Sequence, residues 1–168
     1  MRHPDTIYLV DSDDTVIGYK PRAELDPAKD IYRVASVWIT NDKNQALFAQ
    51  RSFTKKIYPG VWDASVAGTL EYGESYEENA IREAYEELGI NDPQFAIGPK
   101  VRIEGPYNLF IQWFFLKTNK AADEFIFPKD EVEQVRWFSK EEVLDGLKNH
   151  PEQFIAKDLT RWVEMFWK

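Results

Sequence analysis

Short runs rich in β-branched and aromatic residues, separated by polar clusters, dominate the first part of the chain. Ile7-Tyr8-Leu9-Val10 and Thr15-Val16-Ile17-Gly18-Tyr19 flank the polar Asp11-Ser12-Asp13-Asp14, a pattern that predicts a hairpin. Residues 33–40 and 45–51 are more continuously apolar around Asn41-Asp42-Lys43-Asn44, which predicts a second hairpin made of central, better buried strands. Residues 21–30, with Pro21, Pro27 and alternating charges, read as a loop or a broken helical turn. A loop is also expected at 55–60, before a short apolar stretch, 62–67, that runs into Gly68. The periodicity then lengthens. Ser75 and Glu78 fit a capping box, Gly89 stands where a helix would end, and Ala80, Ile81, Ala84, Tyr85 and Leu88 form one stripe, predicting a helix over 76–88. Strands are expected at 96–103, 109–116 and 134–138, and helices at 140–148 and 151–167. In the last of these, Leu159, Trp162, Val163, Phe166 and Trp167 would pack on the sheet or on a partner subunit, so a homodimer is compatible with the pattern. The mixture indicates an α/β (α+β) fold. No repeat, low-complexity stretch or linker interrupts it, and residues 1–168 are expected to form a single domain.

Composition narrows the chemistry. With 21 basic against 29 acidic residues the net charge is −8, which disfavours a nucleic acid polymer as partner. A small polyanion remains compatible if bound cations reverse the local field. The absence of cysteine removes disulfides, thiolate metal sites and cysteine nucleophiles. His3 and His150 are far apart in the chain, so any cation would be held by oxygen, which suits Mg2+ or Mn2+. No apolar run approaches the roughly 20 residues of a bilayer span, and Met1-Arg2-His3-Pro4-Asp5 is not the start of a signal peptide. The expected location is cytoplasmic, with no membrane contact.

The chemistry-bearing pattern lies on the predicted helix. Glu83, Glu86 and Glu87 are spaced i, i+3 and i+4, which gathers their carboxylates on one face, expected to lie opposite the apolar stripe. Like charges so spaced destabilise a helix by roughly 0.2–0.5 kcal/mol per pair, and either a cation or solvent must compensate. For an isolated Glu-x-x-Glu-Glu a solvated face is the ordinary explanation. The context changes that weighting: Gly68, Glu74 and then Arg82-Glu83-Ala84-Tyr85-Glu86-Glu87-Leu88-Gly89-Ile90 together resemble the signature of the Nudix hydrolases. Ala84 departs from it, since the family pattern prefers a bulkier aliphatic residue there.

This resemblance implies a Nudix-like α/β/α sandwich with a mixed central sheet, and a metal-dependent hydrolase that cleaves a diphosphate linkage by water attack on phosphorus. By the same resemblance Gly68, Glu83, Glu86 and Glu87 are metal-binding and Glu83, Glu86 and Glu87 catalytic, while Glu74, Arg82 and Gly89 are structural, with Arg82 tethering Glu74 or another loop carboxylate. Which glutamate accepts the water's proton, Glu83 or Glu86, is left open. Arg51 and Lys55, with Lys56, could clamp phosphate oxygens or simply be solvated. Glu131 and Glu133 could reach the site or sit in a loop. Tyr58, Trp62, Tyr107 and Trp113 offer stacking faces for a base, or core packing. The family-level substrate is a nucleoside diphosphate derivative or a nucleoside triphosphate.

Segments outside the helix, Tyr8-Leu9-Val10-Asp11, residues 32–37 and Tyr58-Pro59-Gly60-Val61-Trp62, are similar to isopentenyl-diphosphate isomerases of the same superfamily. The isomerase equipment is missing. Tyr32 stands where that pattern has a metal histidine, Val66-Ala67-Gly68-Thr69 replaces its cysteine and histidine segment, and Asn108-Leu109-Phe110 takes the place of its glutamate strand. Losing a required acid or base normally lowers a rate by ~10² to 10⁴, so hydrolysis is the expected activity. The alternatives are a nucleotide-binding module without catalysis and, behind it, the isomerase itself.

Overall fold

The structure, a computed structural model, describes residues 3–64 and 66–167. Its centre is the pair β3 (Tyr32–Thr40) and β4 (Ala46–Arg51). Asn41 makes the turn between them: its Oδ1 accepts the N–H groups of Lys43 and Gln45, both at 3.0 Å, the local bonding that makes Asn a turn former. The expected hairpin forms only at this turn. Thr40 pairs with Ala46 and the strands then diverge. The gap is filled by two short strands from the apolar 62–67 stretch and its continuation. β5 (Trp62–Ala64) pairs with β4, and β6 (Val66–Thr69) pairs with β3. Backbone groups that a simple hairpin would satisfy are thus satisfied by a later segment, which no local pattern announces.

β3 also pairs in parallel with β9 (Leu109–Lys117) along its whole length, from Tyr32 opposite Leu109 to Thr40 opposite Lys117. β8 (Ala96–Ile103) is antiparallel to β9 at one edge, and β10 (Val132–Phe138) is antiparallel to β4 at the other. The result is a mixed seven-stranded sheet ordered β10-β4-β3-β9-β8, with β5 and β6 in the split. Both faces are covered, which is why β3 and β4 read as continuous apolar runs rather than alternating ones. On one face Ala35, Val37, Ile39, Leu47, Ala49 and Val66 pack with Ala80 and Leu88 of α1 (Tyr76–Leu88). On the other, Trp38, Phe48, Trp62, Trp113 and Phe138 pack with Val143 of α2 (Lys140–Asn149) and Leu159, Trp162 and Val163 of α3 (Ala156–Phe166). Full burial of a side chain such as Val37 or Ile39 contributes roughly 1.5–3 kcal/mol. These layers make the expected α/β/α sandwich.

The helix expected over 151–167 is broken. Pro151–Gln153 is a 3₁₀ turn, Phe154 bridges to Trp62, the Ile155 N–H donates to the Trp62 carbonyl (3.0 Å), and only then does α3 begin. Phe154 is drawn into the sheet because its ring fills the space over Gly146, between Phe48 and Phe138.

A small second sheet, β2-β1-β7, consists of β1 (His3–Val10), β2 (Val16–Pro21) and β7 (Glu71–Tyr72). The first two strands are the expected hairpin. β7, two residues long, falls in what reads as a loop. Asp14 ties this sheet to the rest: its carboxylate accepts from Arg33 Nε (2.7 Å), Lys100 Nζ and the Tyr76 hydroxyl. Burial alone would raise the Asp14 carboxyl, but these hydrogen bonds and charges hold it below the ordinary carboxylate range. Among the described residues no helix is long and apolar enough to cross a membrane.

Candidate active site

α1 starts where the sequence places it. Ser75 Oγ accepts the Glu78 N–H (3.2 Å) while the Glu78 carboxylate accepts the Ser75 N–H (2.7 Å), and Gly89 closes the helix in the left-handed region at φ +63°. The helix lies on β3 and β6 through Ala80, Ala84 and Leu88, all essentially inaccessible. The small Ala84 permits this close approach. Two members of the expected stripe, Ile81 and Tyr85, are exposed instead, at 39% and 59%. The buried face is therefore rotated, and Glu83 and Glu87 are not opposite it but on its edge, turned toward the sheet. Glu83 is only 14% exposed, whereas Glu86, one position around the helix, is 50% exposed.

Glu83 lies directly against Gly68 in β6, where a Cβ would overlap its Cγ, Cδ and Oε1. Next to it Arg82 forms a fixed hub. Nε and Nη2 donate to the two oxygens of Glu74 (2.7 and 3.2 Å), and Nη1 reaches Glu83 Oε1 (2.9 Å) and Glu86 Oε2 (2.8 Å). Glu74 also accepts from Asn79 Nδ2 (2.8 Å) and the Glu71 N–H (2.9 Å). Burial raises the Glu74 carboxyl, but the donors and the Arg82 charge together pull it below its ordinary value.

Removing Glu74 leaves Arg82 buried without its main partner. Glu74→Ala is therefore expected to destabilise the fold by about 3 kcal/mol, roughly 10 °C in Tm for a chain of this size. Because the carboxyl is depressed in the folded state, its contribution is present above its ordinary pKa of 4.5 and is lost as the pH falls through the lower folded value. Thermal unfolding of wild type and variant at neutral pH and below about pH 4 checks both points: the gap should narrow in acid.

Glu87 borders a small cleft of about 40 Å³ between α1 and the split sheet. Arg51 and Ala49 of β4, Asp63 and Ala64 of β5, Ala67 of β6, and Glu131 and Val132 at the start of β10 form the rest of its wall. Burial raises Glu87 well above the ordinary carboxylate range, and the charges of Glu83, Asp63 and Glu131 add to the rise. Burial likewise raises Glu83, against the opposing charge of Arg82. Asp63 is pushed up to about 6 by burial, which outweighs the Ala64 N–H bond and the charge of Arg51.

The candidates from the sequence divide accordingly. Glu83 lies against Gly68 and close enough to Glu87, which lines the cleft, to raise its carboxyl, while Glu86 is held on Arg82 outside the cleft wall. Arg51 lines the cleft while its guanidinium donates to the Ile57 carbonyl (3.3 and 3.2 Å), and Lys55 pairs with Glu131 at the edge. Lys56 is exposed and Glu133 half-buried, and both lie outside the wall. Trp62 and Trp113 belong to the second core, while Tyr58 and Tyr107 are exposed at 48% and 40%. Asp63 is the residue that sequence reasoning passes over; its signal is a single acid between two core residues of a short apolar strand. Among the described residues no three acidic or histidine side chains already stand in position to chelate a cation. The donor set is nevertheless all oxygen, and two mutually repelling carboxylates are held at a buried edge beside a glycine with no side chain, an arrangement that Mg2+ or Mn2+ fits once Glu83 and Glu86 turn from Arg82.

Residues 31–163 match the sequence profile of the NUDIX domain. An uncharacterised Nudix hydrolase of Pseudomonas aeruginosa is 28% identical over 147 residues, covering 88% of this chain and 86% of that protein. An isopentenyl-diphosphate Delta-isomerase of Shigella boydii is 34% identical over 126 residues, covering 71% and 68%. Among solved structures, a protein of Deinococcus radiodurans superposes with a TM-score of 0.82 at 24% identity, over 97% of this chain and 99% of that one. A NUDIX domain from Shewanella oneidensis, crystallised with ADP ribose, gives 0.61 at 18% identity, over 85% and 92%. With the profile spanning most of the chain and the signature glutamates gathered on α1, the protein belongs to the Nudix family and is a Nudix hydrolase.

Proposed function

We propose that this enzyme, acting as a single domain over residues 1–168, hydrolyses the diphosphate linkage of a nucleoside diphosphate derivative or nucleoside triphosphate in the cytoplasm. The observation that carries the reading is the partial burial of Glu83 and Glu87 at one edge of α1, with Glu83 against Gly68. A solvated acidic face would leave both in water. Carboxylates kept together in a low-dielectric cleft repel one another and call for a cation.

Members of the family generally use divalent cations. Here the Gly68 carbonyl with Glu83, Glu86 and Glu87 would hold Mg2+ or Mn2+, which when bound neutralises diphosphate charge and lowers the pKa of a coordinated water. Arg51, on the opposite wall, presents a guanidinium suited to two phosphate oxygens. Lys55, drawn from Glu131, would add a second positive charge. The fixed Arg82–Glu74 pair keeps the carboxylate edge of α1 in register with the β6 strand that carries Gly68.

The isomerase reading has no support from these side chains. The chain has no cysteine, and Tyr32 is a buried core residue whose hydroxyl is pushed up to about 12 by burial and by the neighbouring Tyr107.

Phosphate and diphosphate release from nucleoside di- and triphosphates, nucleotide sugars and dinucleotides tests the proposal. Turnover is expected with Mg2+ or Mn2+, absent with a chelator, and lowered at least ~10²-fold in Glu86→Gln. Turnover that survives chelation would sink the metal mechanism. An inert wild type that still binds Mn2+ would favour the binding module.

A further inference from the structure

The cleft contains one carboxylate that the signature does not account for. Asp63 is the middle residue of β5, opposite Ala49 of β4. Its neighbours Trp62 and Ala64 are buried in the core on the α2–α3 side, so strand alternation turns Asp63 to the α1 side and into the cleft. An apolar side chain would be the inexpensive choice there. Asp63 instead places an acid in a poorly solvated wall, without an ion pair among the described residues. Its one hydrogen bond among the described residues, Oδ1 accepting the Ala64 N–H at 2.7 Å, could equally be made by Asn or Ser. Stability gives no reason for the charge, and the cleft gives one. The cleft that Asp63 and Glu87 line holds about 40 Å³ of space, and a water needs roughly 10–15 Å³ and two or more polar partners.

We propose that Asp63 is a further catalytic residue, the group on the sheet wall that orients the attacking water and takes its proton. This assignment rests on the hydrolase reading above. The water oxygen forms the new bond to phosphorus, the bridging P–O bond breaks with its electron pair leaving on the departing phosphate, and one water proton passes to Asp63 Oδ2, later to be lost to solvent. Asp63 is suited to the role by its surroundings. Facing it are Glu87 from α1, Glu131 with its partner Lys55 from the two loops, and Arg51 from β4. Burial raises its carboxyl to about 6, which makes it a better proton acceptor than an ordinary Asp while leaving it ionised at neutral pH. The helix glutamates then remain free to act as cation ligands.

The test compares wild type with Asp63→Asn, which keeps an acceptor for the Ala64 N–H, and with Asp63→Ser should the Asn variant not fold. On a compound that the wild type hydrolyses, kcat should fall ~10² to 10⁴-fold and the acid limb of the pH profile should vanish, while KM and Mn2+ affinity stay within about threefold. A second readout is independent of turnover. Because the folded carboxyl lies above its unfolded value, it stabilises the fold in acid and loses that contribution as the pH rises through about 6. The Asn variant should therefore melt higher than wild type at pH 8, with the gap closing near pH 4. Turnover within threefold of wild type overturns the assignment, as does a parallel loss of Mn2+ binding, which would make Asp63 a ligand. A wild type inert on every compound would instead overturn the hydrolase reading, and this assignment with it.

Discussion

Gly68→Ala is expected to lower kcat by ~10²-fold or more while the protein stays folded. The backbone of β6 at this position is ordinary extended chain, which alanine adopts readily, and the obstacle to a Cβ is a side chain, not backbone. Glu83 must rotate away to admit the methyl group, carrying its carboxylate off the edge where it faces Glu87. Displacements of about 1 Å at a reacting centre are enough for a hundredfold loss. Stability should change by no more than about 1 kcal/mol, since Gly→Ala restricts the unfolded chain and so offsets local crowding. Steady-state kinetics with thermal unfolding separate the two effects. Unchanged kcat would mean that the position of Glu83 is unimportant to turnover.

Glu87→Gln should abolish turnover and stabilise the apoprotein together. Without a bound cation, Glu87 is a half-buried acid raised by desolvation and by the charges of Glu83, Asp63 and Glu131. The folded state therefore binds its proton more tightly than the unfolded one, and the ionised form opposes folding at neutral pH. A neutral isostere removes that penalty, for a gain of about 1 kcal/mol, or ~3 °C in Tm. The advantage should fade in acid, where wild-type Glu87 is itself protonated, and also when Mn2+ saturates the wild type. A variant that melts below wild type in the absence of cations would contradict this account of the site's electrostatics.

The contrast between α1 and its surroundings shows what the sequence could convey. Ser75, Glu78 and Gly89 act within one or two helical turns, so the ends of α1 are legible locally. The spacing of Glu83, Glu86 and Glu87 is legible for the same reason. How the helix is rolled on the sheet is not. It depends on Gly68 and Val66 arriving beneath it from β6, and that contact exposes Ile81 and Tyr85 although both fit the apolar stripe. The parting of β3 from β4 is likewise decided by β5 and β6, too short for any periodicity, and β7 is only two residues long. Phe154 interrupts a well-formed helical pattern because the groove over Gly146 is worth more to it than a further helical turn. Asp63 was invisible for a related reason. A lone acid in an apolar run acquires meaning only when the strand's facing direction is known.

The most direct test of the central claim is equilibrium binding of Mn2+ to the wild type, Glu83→Gln and Glu87→Gln in the absence of substrate. If α1 holds the cations of a hydrolase, the wild type binds Mn2+ and each variant does so at least about tenfold more weakly. Equal affinity in all three proteins, or no binding by a wild type that still turns over, would contradict it.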